Sequence, residues 1–170
     1  MNSSAIIVGN LCTIVALGFN AISATRKTPK GVLMMQNVSQ GVYGVSSIVL
    51  GGYSATVQNL VSIARNIAAI RNIKSKYLEW LLVILGVVLG IVFNNRSWVG
   101  LLPVLGNLQY TLAIFRFKND EQKIKFFFLI SVIAFFIFNF AIRNYAGVVS
   151  DFIVIVTTSA VLLKSLKKKA

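Results

Sequence analysis

The sequence predicts an all-α integral membrane protein with seven transmembrane helices, arranged as two parallel three-helix bundles joined by a linker helix. The prediction rests on the composition, on the length of the apolar segments and on the placement of the basic residues. Of the 170 residues, 56% are apolar and only 12% are charged, which is about half the charged fraction of a typical soluble protein. A soluble domain of this size could not bury so much apolar surface.

Seven segments are long and apolar enough, or nearly so, to cross a bilayer, which takes roughly 17–25 residues. Each is expected to be a helix, because an unpaired backbone amide in hydrocarbon costs several kcal/mol. Residues 1–4 carry no basic side chain, so the first segment is interpreted as a retained helix and not as a signal peptide. The segments comprise residues 3–24, 32–50, 54–70, 77–93, 98–115, 126–142 and 148–163.

The basic residues lie in alternate connections between these segments. Fourteen lie in the first, third and fifth connections and in the C-terminal tail, whereas the second, fourth and sixth connections hold only Arg96 and Arg143. The positive-inside rule therefore places the N-terminus outside and the C-terminus in the cytoplasm. The fourteen are Arg26, Lys27, Lys30, Arg71, Lys74, Lys76, Arg116, Lys118, Lys123, Lys125, Lys164, Lys167, Lys168 and Lys169. The net charge of +13 is thus attributed to membrane orientation and not to nucleic-acid binding.

A shift of 92 residues lays the first three segments on the last three without a gap, and places Asn59 on Asp151. We therefore expect a single membrane domain over residues 1–170, with repeats at 3–70 and 98–163 and a linker at 77–93. Two triplets joined directly would point in opposite directions, and one extra crossing gives both the same direction. The linker has no polar side chain over residues 81–92, so most of its surface can face lipid.

Polar side chains form stripes on the second and third segments. These side chains either form hydrogen bonds to neighbouring helices or line a solute cavity between the triplets. The second segment carries four polar side chains in one stripe, which is more than helix adhesion needs. This number favours the cavity. The predicted lining consists of Gln36, Gln40, Tyr43, Asn59, Ser62 and Asp151.

Two charged residues fall within predicted membrane segments. Arg65 either extends its side chain to the inner interface, or it binds an anionic solute or gates the inner mouth, with Asn66 beside it. Asp151 is either a first-turn acid stabilised by the helix dipole, or a proton or cation site opposite Asn59.

Catalytic and metal chemistry are not expected. The chain has no histidine and one cysteine, Cys12, so it lacks the usual general base and metal ligands. No acid pair or phosphate-binding loop is apparent, and we expect neither a cofactor nor an enzyme. Membrane lipid and a small-molecule solute are the expected partners, nucleic acid is not, and a homo-oligomer is compatible with the sequence.

The segment from Gly51-Gly52-Tyr53 to Arg65-Asn66 resembles a recurring stretch of the YgjV-type bacterial inner-membrane proteins. The second half, from Pro103 through Tyr110 to Tyr145-Ala146-Gly147, is similar to the same family. The resemblance covers nearly the whole chain and implies a location in the bacterial inner membrane.

The triplet arrangement also resembles that of the SWEET and PnuC carriers. That resemblance implies a central solute site near the third and seventh helices, where Asn59 and Asp151 stand. The chain departs from the SWEET pattern of helix-kinking prolines, because it has only Pro29, placed in a loop, and Pro103. The tryptophan motifs of PnuC are absent as well.

The sequence thus favours a carrier or facilitator for a small polar metabolite, with its site between the bundles. The alternative is a non-transporting partner subunit or a sensor. An intramembrane enzyme is a weak third candidate, since the chain lacks histidine and an acid pair.

Overall fold

The computed structural model describes residues 2–73, 75–117 and 120–167, and these parts of the chain are helical, without a strand. Four of the predicted cytoplasmic basic residues, Lys74, Lys118, Lys168 and Lys169, lie outside the described residues. The described helices are α1 (Ser3–Ala24), α2 (Pro29–Val49), α3 (Tyr53–Ile70), α4 (Lys76–Val92), α5 (Leu102–Arg116), α6 (Glu121–Ala141) and α7 (Tyr145–Lys167), with a 3-10 turn at Ser97–Leu101 leading into α5.

Several helices begin earlier than their apolar segments, because capping groups set the helix ends. Pro29 was predicted to lie in a loop but is the first residue of α2, after Thr28, whose hydroxyl accepts a hydrogen bond from the Gly31 amide at 3.1 Å. At the start of α6, the Asp120 carboxylate accepts from the Lys123 amide at 3.1 Å. Hydropathy marks only the part of each helix that is apolar, so it stops short of these polar first turns.

Three helices in the described part of the chain are long and apolar enough to cross a membrane, namely Ser3–Ser23, Gln122–Ala141 and Tyr145–Ser165. The other four are shorter or more polar. Helix α4 has 17 residues, α5 has 15 after its 3-10 turn, and α2 and α3 carry the polar stripes. That these four also cross the bilayer remains a prediction.

The interior of the described structure is polar and its surface is apolar. Its buried positions include twelve polar side chains and nine apolar ones. Large apolar side chains are instead exposed along the helices, and Val92 and Leu163 are exposed by 68% and 60%. Continuous apolar surface of this kind marks contact with a membrane or a partner, and the polar interior needs hydrogen bonds within the protein.

The helices pack in two consecutive sets. Helix α1 packs on α2 and α2 on α3, while α5 packs on α6 and α6 on α7. The sets meet where α1 contacts α7 and where α3 contacts α5, and α4 lies against α3 and α5.

The helix bounds follow the shift of 92 residues. Helices α2 and α6 correspond at both ends, α3 and α7 correspond at their first residues, and α1 and α5 correspond at their last residues.

Three turns meet at one end of the molecule. The Arg96 guanidinium donates to the Leu50 carbonyl at 2.9 Å and to the Gly51 carbonyl at 2.8 Å, which ties the α4–α5 turn to the α2–α3 turn. Leu50 also packs against Phe138 and Ile142 at the end of α6. This end is therefore formed by the connections that hold only Arg96 and Arg143 among the basic residues.

Candidate functional site

A cavity of about 300 Å³, here called the central cavity, lies between the two helix sets. Every described α-helix except α4 contributes to its wall, and most of the contributing side chains are polar. The wall consists of Asn20, Gln40, Tyr43, Ser47, Ala55, Gln58, Asn59, Ser62, Arg65, Asn107, Tyr110, Phe128, Ser131, Val132, Phe135, Asn139, Asn144, Gly147, Ser150, Asp151 and Val154. Amide and hydroxyl groups from six helices thus converge on one space.

Most of the residues predicted from the sequence lie in this wall. Five of the six predicted lining residues are present, as is Arg65, which was predicted at the inner mouth: these are Gln40, Tyr43, Asn59, Ser62, Asp151 and Arg65. The periodicity of the α2 and α3 stripes placed Gln40, Tyr43, Asn59 and Ser62 on the inward face, whereas Arg65 and Asp151 were predicted as charges within membrane segments.

Two predicted residues lie outside the wall. Gln36 is one helical turn before Gln40, nearer the first residue of α2, and the cavity does not extend to it. Asn66 is one turn beyond Ser62 and is buried in the packing of α3. Both lie on the predicted helix face, but the depth at which the cavity closes is set by the packing of the helices and not by periodicity.

The wall of the central cavity contains pairs of residues related by the shift of 92. Seven positions of the first set have their counterpart in the same wall. The pairs are Gln40 with Val132, Tyr43 with Phe135, Ser47 with Asn139, Ala55 with Gly147, Gln58 with Ser150, Asn59 with Asp151 and Ser62 with Val154. The cavity therefore lies where equivalent faces of the two helix sets meet.

Asp151 is held by a short chain of amides. Its Oδ2 accepts a hydrogen bond from Asn139 Nδ2 at 2.8 Å, and Asn139 Oδ1 accepts from Asn144 Nδ2 at 3.0 Å. Asn144 Oδ1 in turn accepts from the Gly147 amide in the first turn of α7 at 3.1 Å. Asp151 lies beyond the first turn of α7, which begins at Tyr145. The interpretation as a first-turn acid on the helix dipole is therefore wrong, since that effect fades within one turn.

A second hydrogen-bonded chain joins α3, α4 and α5. Gln58 Oε1 accepts from Asn107 Nδ2 at 2.7 Å, and Gln58 Nε2 donates to the Gly86 carbonyl at 2.8 Å. On the far side of this chain is a smaller, mainly apolar space of about 150 Å³ between α3, α4 and α5, here called the side cavity. Gln58, Asn107 and Arg65 line both cavities and so form the partition between them.

Arg65 is a partly buried cation without a fixed partner. Its guanidinium lies near Tyr110, and among the described residues no hydrogen bond or ion pair reaches it. The salt bridge of the described residues joins Lys123 to Asp120 at the start of α6 and does not involve Arg65. An arginine that lines two cavities and is unpaired is available to a ligand, because burying a charge is costly unless something compensates it.

Sequence reasoning did not single out several polar wall residues, among them Gln58, Asn107, Asn139 and Asn144. Asn139 is the one amide of its segment, whereas Asn107 shares its segment with Gln109, Tyr110 and Thr111. An amide within a membrane segment is the signal that could have found both. Asn144 lies in the α6–α7 turn, and a turn asparagine is ordinary, so its place in the wall follows only from the packing.

The polar groups outside the cavity mainly hold helices together. Thr13 and Ser46 share a hydrogen bond of 2.7 Å between α1 and α2, and Ser39 donates to the Ala16 carbonyl at 2.8 Å. Asn10 donates to the Arg143 carbonyl at 2.9 Å and accepts from the Ala146 amide, which joins α1 to α7. Both roles considered for membrane polar groups, adhesion between helices and cavity lining, thus occur in this chain, and Gln58, Asn107 and Asn139 combine the two.

In comparisons with known proteins, a family model described as Imp-YgjV, bacterial inner membrane protein, matches residues 7–169. The chain matches none of the curated proteins and none of the solved structures with which it was compared.

Proposed function

The chain belongs to the Imp-YgjV family of bacterial inner membrane proteins, and we propose that it is a carrier or facilitator for a small polar metabolite. The observation that carries the proposal is the central cavity: about 300 Å³, walled mainly by amides and hydroxyls, and located where the two helix sets meet. Polar groups inside a membrane protein are costly unless they bond to one another or face water. A polar space of this size has the dimensions of a solute site.

The proposal takes all seven helices to cross the bilayer, with the N-terminus in the periplasm and the C-terminus in the cytoplasm. The alternate placement of basic residues supports this orientation. The short turn at Leu50–Gly51 and the α4–α5 turn meet at the end that would face the periplasm. Two parallel three-helix bundles would then move against each other about the cavity, with α4 as the linker.

Flux through proteoliposomes tests the proposal directly. Purified protein is reconstituted, and uptake is measured for labelled pools of amino acids, sugars, amines and organic acids. We expect saturable uptake of one pool, and a fall of at least tenfold in Tyr43→Phe or Asp151→Asn if these wall residues bind the solute. Thr157→Val is the matched control, because Thr157 is exposed on α7 and its hydroxyl bonds within its own helix. Folded protein that transports none of the pools would contradict the proposal.

The alternative function, a non-transporting partner subunit or a sensor, has one observation in its favour. Both prolines of the chain stand in the first turns of helices, Pro29 in α2 and Pro103 in α5. No helix therefore has the interior proline that commonly provides a hinge. A defined complex that survives detergent extraction, together with unchanged solute flux in a deletion strain, would favour this function. We also expect the chain to lack enzymatic activity and to need no cofactor.

A further inference from the structure

We infer that the solute of the central cavity is a zwitterion of amino-acid size, with its anionic group on Arg65 and its cationic group on Asp151. The inference rests on the proposed function, which it extends by naming the class of solute.

The first step concerns the charges of the wall. Among the described residues that line the central cavity, Arg65 and Asp151 are the two charged ones. Neither has an ion-pair partner in the described part of the chain. The carboxylate of Asp151 accepts a hydrogen bond from the neutral amide of Asn139, and Arg65 lies near the neutral phenol of Tyr110. One cavity thus exposes two charges of opposite sign that form no ion pair among the described residues, although Glu79 lines the side cavity that Arg65 also borders.

The second step concerns their compensation. An isolated charge in a low-dielectric interior is unfavourable unless it is paired, and a solute that carries one charge would leave either Arg65 or Asp151 unpaired. A solute with both an anionic and a cationic group compensates both at once. A neutral sugar or polyol could bond to the amides of the wall but would leave both charges as they are.

The third step concerns spacing. By the shift of 92 residues, Asn59 corresponds to Asp151, and both line the central cavity, so we place them at the same level of their helices. Arg65 is six residues further along α3, which corresponds to about 9 Å of helix axis. Helical side chains lean toward the N-terminal end of their helix, so the long side chain of Arg65 shortens this separation. One small molecule that carries a carboxylate and an amine can therefore contact both side chains in this cavity.

The fourth step concerns size. A buried cavity of about 150 Å³ accommodates benzene, and the central cavity has about twice that volume. It therefore holds a solute of about a dozen non-hydrogen atoms, by the same comparison. This matches a single amino acid and excludes peptides larger than the smallest dipeptides.

The fifth step concerns asymmetry between the repeats. The counterpart of Asp151 is the neutral Asn59, and the counterpart of Arg65 is Thr157, which is exposed outside the cavity. Each charge therefore occurs once, on one repeat. If the two repeats presented the same neutral faces to the cavity, a neutral solute could bind in either orientation. Because Arg65 and Asp151 each occur on one repeat only, a zwitterionic solute has one orientation.

The test separates binding from transport. Binding is measured in detergent by the thermal stabilisation that a ligand confers on the folded state. Four matched pools are compared: the standard L-amino acids, the carboxylic acids that lack their α-amino group, the amines that lack their carboxylate, and hexoses. We expect the amino acids to stabilise the protein most. Asp151→Asn should weaken amino-acid binding at least tenfold and leave the residual binding of the carboxylic acids unchanged. Arg65→Gln should weaken the binding of amino acids and of carboxylic acids, whereas Arg65→Lys should retain most of the binding of each pool.

A charge relocation serves as the second variant. Because Asn59 and Asp151 are equivalent in the repeats, Asn59→Asp combined with Asp151→Asn should restore amino-acid binding relative to Asp151→Asn alone. Stronger binding of hexoses, carboxylic acids or amines than of amino acids would overturn the inference, as would amino-acid binding that is unchanged in both single-charge variants. Transport of hexoses would leave the proposed function standing and refute the zwitterion. Amino-acid binding without flux would refute the proposed transport and leave the zwitterion inference standing.

Discussion

At the scale of single residues, the α2–α3 and α6–α7 turns have the same geometry but different residues. Gly51 and Arg143 correspond under the shift of 92, and both adopt a left-handed backbone, with φ of 68° and 61°. In each turn the following amide reaches back to close the helix, from Gly52 to the Ser47 carbonyl and from Asn144 to the Asn139 carbonyl. Glycine adopts this conformation without strain, whereas arginine does not.

Substitution of Arg143 measures that strain. Arg143→Gly should be more stable than Arg143→Ala by about 1 kcal/mol, because alanine retains the Cβ in a left-handed conformation and glycine removes it. Equilibrium unfolding in mixed detergent micelles, followed by circular dichroism, gives the difference. Equal stability of the two variants would show that the turn relaxes to accept a side chain.

Gln58 has an unusual position, since it bonds both to α4 and to α5 and separates the two cavities. Gln58→Leu and Asn107→Leu should each destabilise the protein by about 1 kcal/mol, because each leaves a buried polar partner without its bond. A double-mutant cycle should give a coupling of about 0.6 kcal/mol, up to about 1.7, as for hydrogen bonds in other membrane proteins. Thr157→Val, on the exposed face of α7, should change stability by less than about 0.5 kcal/mol. Additive effects would mean that the 2.7 Å bond contributes nothing of its own.

At the scale of elements, α4 depends on two glycines for its place. Gly86 presents its carbonyl to Gln58, and a Cβ built on Gly90 would lie 2.6 Å from Val104 Cγ2 and 2.8 Å from Gln58 Nε2. Helix α4 thus comes close to α3 and α5 at Gly86 and Gly90, the two small residues spaced four apart. The remainder of α4 is mostly exposed apolar surface, as expected for a linker in contact with lipid.

Gly90→Ala should therefore destabilise the protein by about 1–3 kcal/mol through overpacking. Gly41→Ala is the matched control, because Gly41 lies inside helix α2 with no atom near its Cβ position. There the change should stabilise by up to about 1 kcal/mol through helix propensity. Both are measured by thermal unfolding in detergent, and a stabilised Gly90→Ala would contradict the close approach of α4 to α5.

At the scale of the whole molecule, the two helix sets meet through different contacts on their two sides. The α1–α7 contact includes the bonds of Asn10 to the α6–α7 turn. The α3–α5 contact includes Gln58 and Asn107. Both contacts hold the two helix sets around the central cavity, so the cavity depends on both repeats together and not on either one alone.

Cysteine labelling tests the proposed orientation of the whole chain. In a Cys12→Ser background, Asn2→Cys and Tyr145→Cys should react with an impermeant maleimide in intact spheroplasts. Lys27→Cys and Tyr77→Cys should react only after the membrane is opened. These positions are exposed, at 54% for Tyr145 and 90% for Tyr77, so access depends on the side of the membrane. Labelling of Tyr77→Cys from outside would refute the orientation.

Part of this protein follows from the sequence alone. Long apolar segments and few charges dictate helices in a membrane, since hydrocarbon leaves the backbone no other hydrogen-bond partners. Family membership follows as well, because the model match covers residues 7–169. The stripes of α2 and α3 correctly oriented Gln40, Tyr43, Asn59 and Ser62 toward the interior, since helical periodicity is a local property.

The tertiary structure decided what local patterns do not contain. Helix packing excluded Gln36 and Asn66 from the cavity wall and brought in Gln58, Asn139 and Asn144. It also placed Asp151 in an amide chain beyond the first turn of α7. The depth at which a cavity closes, and the partner that an amide finds, depend on contacts between residues far apart in the chain. Periodicity specifies the direction in which a side chain points but not what it meets there.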